Sequence, residues 1–315
     1  MLSCYYAKLE NEALIHIEGP DALTFLQGQV TCDTRELTPI KALPGLYCTV
    51  QGRVVCDFLL CTPAPDHLLL RMRRDICAST AALFAKYIVF SKAKLDTQRD
   101  DWQVSACWGP DSATALEQIF GALPRERYSS CSGEGFVLVQ MDAAGQQFEC
   151  YLHRNAAELE SRLIEHSRAG TGTHWQAEQI ASGIARLESG TTGEYVPQLL
   201  NYDLTGHISF TKGCYTGQEV VARLHYRGKP KRRLYLADIN ADNIPPNLQI
   251  QAGDPLYGDD GSRAIGNVIN CVAGENGGLL MLVTATEAGA RKELRLGDSR
   301  TPQLRTHATP YPIPQ

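Results

Sequence analysis

Residues 212–219 read Lys-Gly-Cys-Tyr-Thr-Gly-Gln-Glu, and the two glycines leave the chain a tight turn between whatever flanks them. The next segment has helix composition: Gln218, Glu219, Val220, Val221, Ala222, Arg223 and Leu224 are good to fair helix formers, with Glu219 and Arg223 one turn apart. Gly228 and Pro230 stop it. Upstream, Ile208, Ser209, Phe210 and Thr211 alternate apolar and polar, which predicts a short strand. The run is therefore a strand-to-helix connection, and it carries Cys214 close to Lys212. Free backbone N–H groups at the helix mouth and the Lys212 charge favour a thiolate, which makes Cys214 and Lys212 candidate catalytic residues. The same pattern also fits a small buried cysteine whose neighbouring glycines only permit the turn.

Helical and strand patterns alternate along the chain without the strand–helix repeat of a parallel doubly wound sheet, so the fold class is α+β. Residues 12–17 read as a strand, 21–29 as a helix and 46–60 as a hairpin turning at Gln51 and Gly52. A helix at 75–88 leads into a strand at 89–95, and the polar stretch 96–101 marks a subdomain boundary. Residues 102–153 give strands and a short helix; 155–167 is an amphipathic helix with Asn155 as N-cap and Glu158 at N3; 174–185 is another helix. After Arg232 come short strands at 234–237, 248–250, 255–257, 264–271 and 279–284. Turn residues at 253–254, 259–261 and 274–278 separate them, a pattern that predicts a small antiparallel barrel. Residues 241–247 read as an insertion, and the Pro-rich tail after Ala308 as extended chain. The expected division is a body at 1–228 and a barrel domain at 229–315.

At 315 residues and 43% apolar content the chain buries a substantial core. No apolar stretch at the N-terminus suggests a signal peptide and no run is long enough for a bilayer, so a cytoplasmic protein without membrane attachment, a monomer by default, is expected. Eleven cysteines in that setting imply reduced thiols. They form no CxxC pair, and the eight histidines show no metal-ligand spacing, so no metal site is expected. Asp57 stands among Val54, Val55, Cys56, Phe58, Leu59 and Leu60, where a charge needs a partner or a ligand. Net charge is -5, yet six of the eleven residues at 223–233 are basic. That run is either a solvated face or a dock for an acidic partner, RNA phosphates or the glutamate tail of a folate.

Four segments in this order resemble one family: Phe25 to Asp33; Gln51-Gly52-Arg53-Val54-Val55-Cys56-Asp57-Phe58; Arg186-Leu187-Glu188-Ser189-Gly190; and the 212–219 run with the Val-Val-Ala-Arg that includes Arg223. Together they are similar to the YgfZ family of folate-binding proteins, relatives of the glycine cleavage T-protein aminomethyltransferase that are implicated in iron–sulfur enzyme maturation and tRNA modification. The resemblance implies a clover-leaf body of ferredoxin-like subdomains around a central folate channel, plus a C-terminal antiparallel β-barrel. It implies tetrahydrofolate, or a one-carbon-substituted folate, as cofactor, with Glu188, Asp57, Arg186, Gln218 and Arg223 as folate-binding candidates. It implies iron–sulfur enzymes or their assembly factors as partners, and leaves direct tRNA binding open. Relatives of the family that catalyse aminomethyl transfer carry two adjacent aspartates where this chain has Cys56 and Asp57. A folate-binding accessory protein is therefore the first expectation and a one-carbon transferase the second. Some family members also place a tryptophan where this chain has Glu12.

Overall fold

A computed structural model of the chain describes residues 3–245, 248–258, 263–274, 277–292, 294–296 and 303–314. It forms two compact units: Met1–Tyr47, Cys56–Trp175 and Thr211–Tyr215 make the first, and Cys48–Val55, Gln176–Phe210 and Thr216–Gln315 the second.

The first unit holds strands β1 (Tyr5–Lys8), β2 (Glu12–Glu18), β3 (Leu43–Cys48), β4 (Val54–Ala64), β5 (His67–Arg73), β6 (Lys94–Asp96), β7 (Trp102–Trp108), β8 (Ser130–Gly133), β9 (Phe136–Gln140), β10 (Gln147–His153) and β11 (Arg168–Ala169). Its helices are α1 (Ala22–Gln27), α2 (Arg74–Ile88), α3 (Ser112–Phe120) and α4 (Ala157–Glu165). Two sheets result, one in the order β11-β1-β7-β10-β9-β8 and one in the order β3-β4-β5-β2-β6.

The two-residue period of the strands sorts their side chains into two cores. Tyr6, Cys107, Leu138, Phe148, Cys150 and Leu152 join Ala115, Leu116 and Ile119 of α3 and Leu163 of α4. Their alternating neighbours Ala7, Ala106, Trp108, Val137, Val139 and Tyr151 instead meet Leu14, Leu59, Cys61 and Leu69 of the second sheet. The sheets thus pack face to face, and α2 lies on β2 and β5.

In the second unit, β12 (Arg233–Ile239), β13 (Pro255–Tyr257), β14 (Ala264–Ala273), β15 (Leu279–Ala285), β16 (Leu294–Leu296) and β17 (Gln303–His307) close a barrel in the order β12-β15-β14-β13-β16-β17. Ala237, Leu256, Val268, Met281, Val283 and Leu294 are among the side chains that fill it. The remaining α-helices are α5 (Gly172–Ala181), α6 (Gln218–Arg227) and α7 (Glu287–Ala290). Among the described residues no helix is long and apolar enough to cross a membrane.

The α+β class and the barrel are as expected; several local expectations are not. The strand foreseen at 89–95 is reduced to β6, because Asp21 takes the Lys92 N–H at 2.7 Å and pairing with β2 begins only at Lys94. Val89 and Phe90 are left exposed. No strand forms at 208–211, where the Phe210 ring stacks on His225, nor at 248–250. The helix foreseen at 155–167 begins with a 3-10 turn at Arg154–Ala156, so Ala156, not Asn155, is the N-cap of α4. The Asn155 carboxamide is drawn away to His153 Nδ1 at 2.7 Å. Strands β16 and β17 were not foreseen, since Leu-Arg-Leu and Gln-Leu-Arg-Thr-His are too short and polar to show periodicity. The turn at 259–261, and parts of the stretches 241–247 and 274–278, lie outside the described residues.

Candidate functional site

All eleven cysteines are free thiols, eight buried and two half-buried, and Cys214 alone is exposed. The reading of Cys214 as a buried hydrophobe therefore does not hold. Lys212, two residues earlier, is 5% exposed and turns the other way, into the protein. Its Nζ donates to the carbonyls of Gln27 at 2.8 Å, Val30 at 2.5 Å and Cys32 at 2.9 Å, at the C-terminal end of α1, and stands 5.2 Å from the Tyr215 ring centre. Burial pushes Lys212 down to about 8, against the pull of Cys32 and Asp33. Three carbonyl acceptors match the three protons of an ammonium, so the side chain is charged at neutral pH. Lys212 thus anchors the loop that presents the thiol. Cys214 sits three residues ahead of Gly217, the N-cap of α6.

Asp57, also in the first unit, is 3% exposed. A buried cation, Arg71 on β5, lies between the two sheets, and Asp57 is one of the charges that act on it. Arg71 Nε and Nη2 donate to both carboxylate oxygens of Glu149 on β10, at 2.9 and 2.7 Å, and Tyr151 Oη donates to Glu149 Oε2 at 2.7 Å. Glu12 Oε2 lies 3.7 Å from Arg71 Nη1. Burial works against the Arg71 charge, but Glu149, Glu12, Tyr151 and Asp57 together outweigh it and hold the group protonated. Glu12, at the position where some family members carry tryptophan, is spent on this network. Cys56 beside Asp57 supplies no second carboxylate: burial, then the Asp57 charge, push its thiol up to about 12.

In the second unit the chain turns sharply after Glu188. The Glu188 carbonyl accepts from Thr191 N at 2.9 Å and Thr192 N at 3.1 Å, and Thr191 Oγ1 closes the turn. The Glu188 side chain is half-buried, and Asn270 Nδ2 donates to its Oε1 at 3.0 Å. The same carboxamide brackets the Arg186 main chain, accepting from Arg186 N at 2.9 Å and donating to Arg186 O at 2.8 Å. A register shift on β14 between Val268 and Asn270, opposite Val283 and Leu282, aims Asn270 this way. Gln218 opens α6 and is half-buried, and Arg223 is exposed on the same helix. Of the candidates, then, Lys212, Cys214 and Asp57 belong to the first unit, and Arg186, Glu188, Gln218 and Arg223 to the second.

Sequence reasoning passed over Arg71, Glu149 and Asn270. The signal was present: each is a polar side chain inside an apolar strand run, as Asp57 is.

The fold is similar to that of a solved structure. The crystal structure of glycine cleavage system aminomethyltransferase T from Bartonella henselae aligns with a TM-score of 0.75 over 97% of this chain and 85% of that one, at 16% identity. The fold is thus that of an aminomethyltransferase. Along its sequence the chain is 28% identical over 310 residues to the tRNA-modifying protein YgfZ of Serratia proteamaculans (strain 568), covering 97% of this chain and 92% of that protein. The same protein of Yersinia pestis (strain Pestoides F) is 28% identical over 309 residues, with the same coverage. These matches bear out the kinship with the YgfZ family that the motifs indicated. No family model matches the chain.

Proposed function

We propose that this chain is a tetrahydrofolate-binding accessory protein for tRNA modification, acting with iron–sulfur enzymes through the Cys214 thiol. The observation that carries the reading is that Cys214 is the single exposed cysteine of the eleven, held on a loop pinned by the buried Lys212. A thiol kept in solvent by a buried anchor is placed to meet another molecule. Glu188 fits the pterin end of a folate: a carboxylate oriented by Asn270 and a tight turn accepts paired N–H donors of a planar ring. When bound, the folate supplies a site for a one-carbon unit; the protein binds and orients it.

The transferase reading draws support from the aminomethyltransferase fold. It loses support in the segment from Gln51 to Phe58, where Cys56 is a buried neutral thiol in place of a second carboxylate beside Asp57. Aminomethyl-type transfer is therefore the lesser reading.

The test is rescue of a bacterium lacking its own YgfZ, read as tRNA methylthiolation by a radical iron–sulfur enzyme. Wild type is expected to restore the modification and Cys214→Ser to fail while remaining folded. Equal rescue by both would make the thiol dispensable. Release of methylenetetrahydrofolate from an aminomethyl donor by the purified protein would replace the accessory reading with the transferase one.

A further inference from the structure

The second unit contains a cavity of about 1160 Å³ whose wall includes His225 of α6, Lys229, Lys231, Arg232 and Arg233 of the segment after it, and Arg291 beyond α7. It exceeds the ~300–1,000 Å³ of ordinary small-molecule pockets. The C-terminal segment, residues 306–314, also lines it. The tail is held there because Tyr311 Oη donates to Gly183 O at 2.7 Å and its ring fills the space beside that glycine.

The cations of this groove fall into two sets. Arg233 pairs with Asp203 at 2.7 Å, Arg291 pairs with Glu287 at 2.7 Å, and Arg232 is tied to Ala264 O at 2.8 Å. Lys229 and Lys231, with Arg227 just before them, are exposed, and among the described residues they enter no ion pair. Uncompensated positive charge is thus gathered at one place on a chain of net charge -5. That arrangement attracts a polyanion.

An aromatic cluster adjoins the cavity at His225. His225, which lines the cavity, stacks on Phe210 with ring centres 3.6 Å apart and planes at 14°. Tyr226 meets both edge-on, at 6.2 Å and 4.8 Å, and is 67% exposed. Each ring fixes its neighbours, so the π-faces are preorganised before anything binds. Phosphate-seeking lysines beside an aromatic cluster whose His225 and Tyr226 are exposed are the two components of a single-stranded nucleic-acid site, where bases stack on rings and the backbone tracks the cations. An acidic peptide would use the lysines and leave the rings idle. In a duplex the base faces are already stacked on each other.

We infer that this groove binds single-stranded RNA, with Lys229 and Lys231 on phosphates and the Tyr226–His225–Phe210 cluster stacking a base. Only the choice of RNA over DNA rests on the tRNA-modification reading.

The test is fluorescence anisotropy of a labelled oligouridine of roughly twelve nucleotides with the full chain, over a range of salt. Lys229→Glu with Lys231→Glu is expected to weaken binding at least ~10-fold and to lower the log–log salt slope by about 1.4. Tyr226→Ala is expected to weaken it roughly 5- to 100-fold with the slope unchanged. All three side chains are exposed, and an unchanged melting midpoint confirms that the variants fold. No binding by wild type, or equal binding by the variants, overturns the inference. So does equally tight binding of polyglutamate, which would make the groove a dock for acidic protein; tighter binding of the matching oligodeoxyuridine would reject RNA as its ligand. If RNA binding fails while wild type still restores methylthiolation in cells, this inference falls and the proposed function stands. The reverse result separates them the other way.

Discussion

Gly217 and Gly52 approach each other backbone to backbone, joining the Gln51-Gly52-Arg53 turn to the start of α6. A Cβ on Gly217 would stand 2.3 Å from Thr49 O and 3.1 Å from Gly52 Cα, and the residue has φ +84°. Gly213, the other glycine of the run, has open space where a Cβ would go.

Gly217→Ala is accordingly expected to cost about 2–4 kcal/mol through left-handed strain and backbone displacement, whereas Gly213→Ala stays within about 0.5 kcal/mol. Urea midpoints of the two variants check this. Equal effects would mean that the contact between the two turns yields easily.

Asn270 satisfies two main-chain groups of Arg186 and holds Glu188 with one carboxamide. Asn270→Ala leaves the Arg186 N–H and C=O without that partner, at about 1–3 kcal/mol each at most. Asn270→Asp also sets a second carboxylate against Glu188, so it is expected to weaken tetrahydrofolate binding beyond the alanine variant. Calorimetric titration of both gives the comparison, and identical affinities would detach Glu188 from folate recognition.

The Arg71–Glu149 pair is fully enclosed between two sheets. Arg71→Met strands the Glu149 and Glu12 carboxylates and is expected to cost about 3–5 kcal/mol. Adding Glu149→Gln removes one of those charges, so the double variant is expected to be more stable than Arg71→Met alone. A double-mutant cycle in urea that shows simple additivity would contradict the pairing.

His16 is held neutral. Burial, then the Arg99 and His67 charges, push it down to about 4 against Asp101 and Asp96, while its Nδ1 lies 3.0 Å from His67 Nε2. Between pH 6.5 and about 4 the unfolded chain takes up a proton that the folded one refuses. The stability is thus full above pH 6.5 and is lost on acidification at up to about 1.4 kcal/mol per pH unit. Urea midpoints at pH 7 and pH 5 are expected to differ clearly in wild type and less in His16→Gln. Equal pH dependence of the two would assign the acid sensitivity to other groups.

The elements that were legible carry local signals: α2 buries one face at helical spacing, the hairpin is marked by its Gln51-Gly52 turn, and α6 is delimited by Gly217 and Gly228. β16, β17 and the failed strand at 208–211 were not legible: their state depends on whether a neighbouring strand offers partners, and no local pattern encodes that.

For the site, the sequence by itself determined the chemical inventory: a thiol in a glycine-flanked turn, a carboxylate after Arg186 and Leu187, a lone Asp57 after a cysteine, and a basic run after α6. Tertiary structure decided what each group does. It turned Lys212 from a neighbour of Cys214 into an anchor on carbonyls 180 to 185 residues away in the chain, and left the thiol in solvent. It brought Asn270 from a barrel strand onto Glu188, 82 residues earlier. It gathered His225, Lys229 and Lys231 against the C-terminal tail. The physical reason is that residue types set which interactions are possible, while the direction and burial of a side chain follow from packing between distant segments.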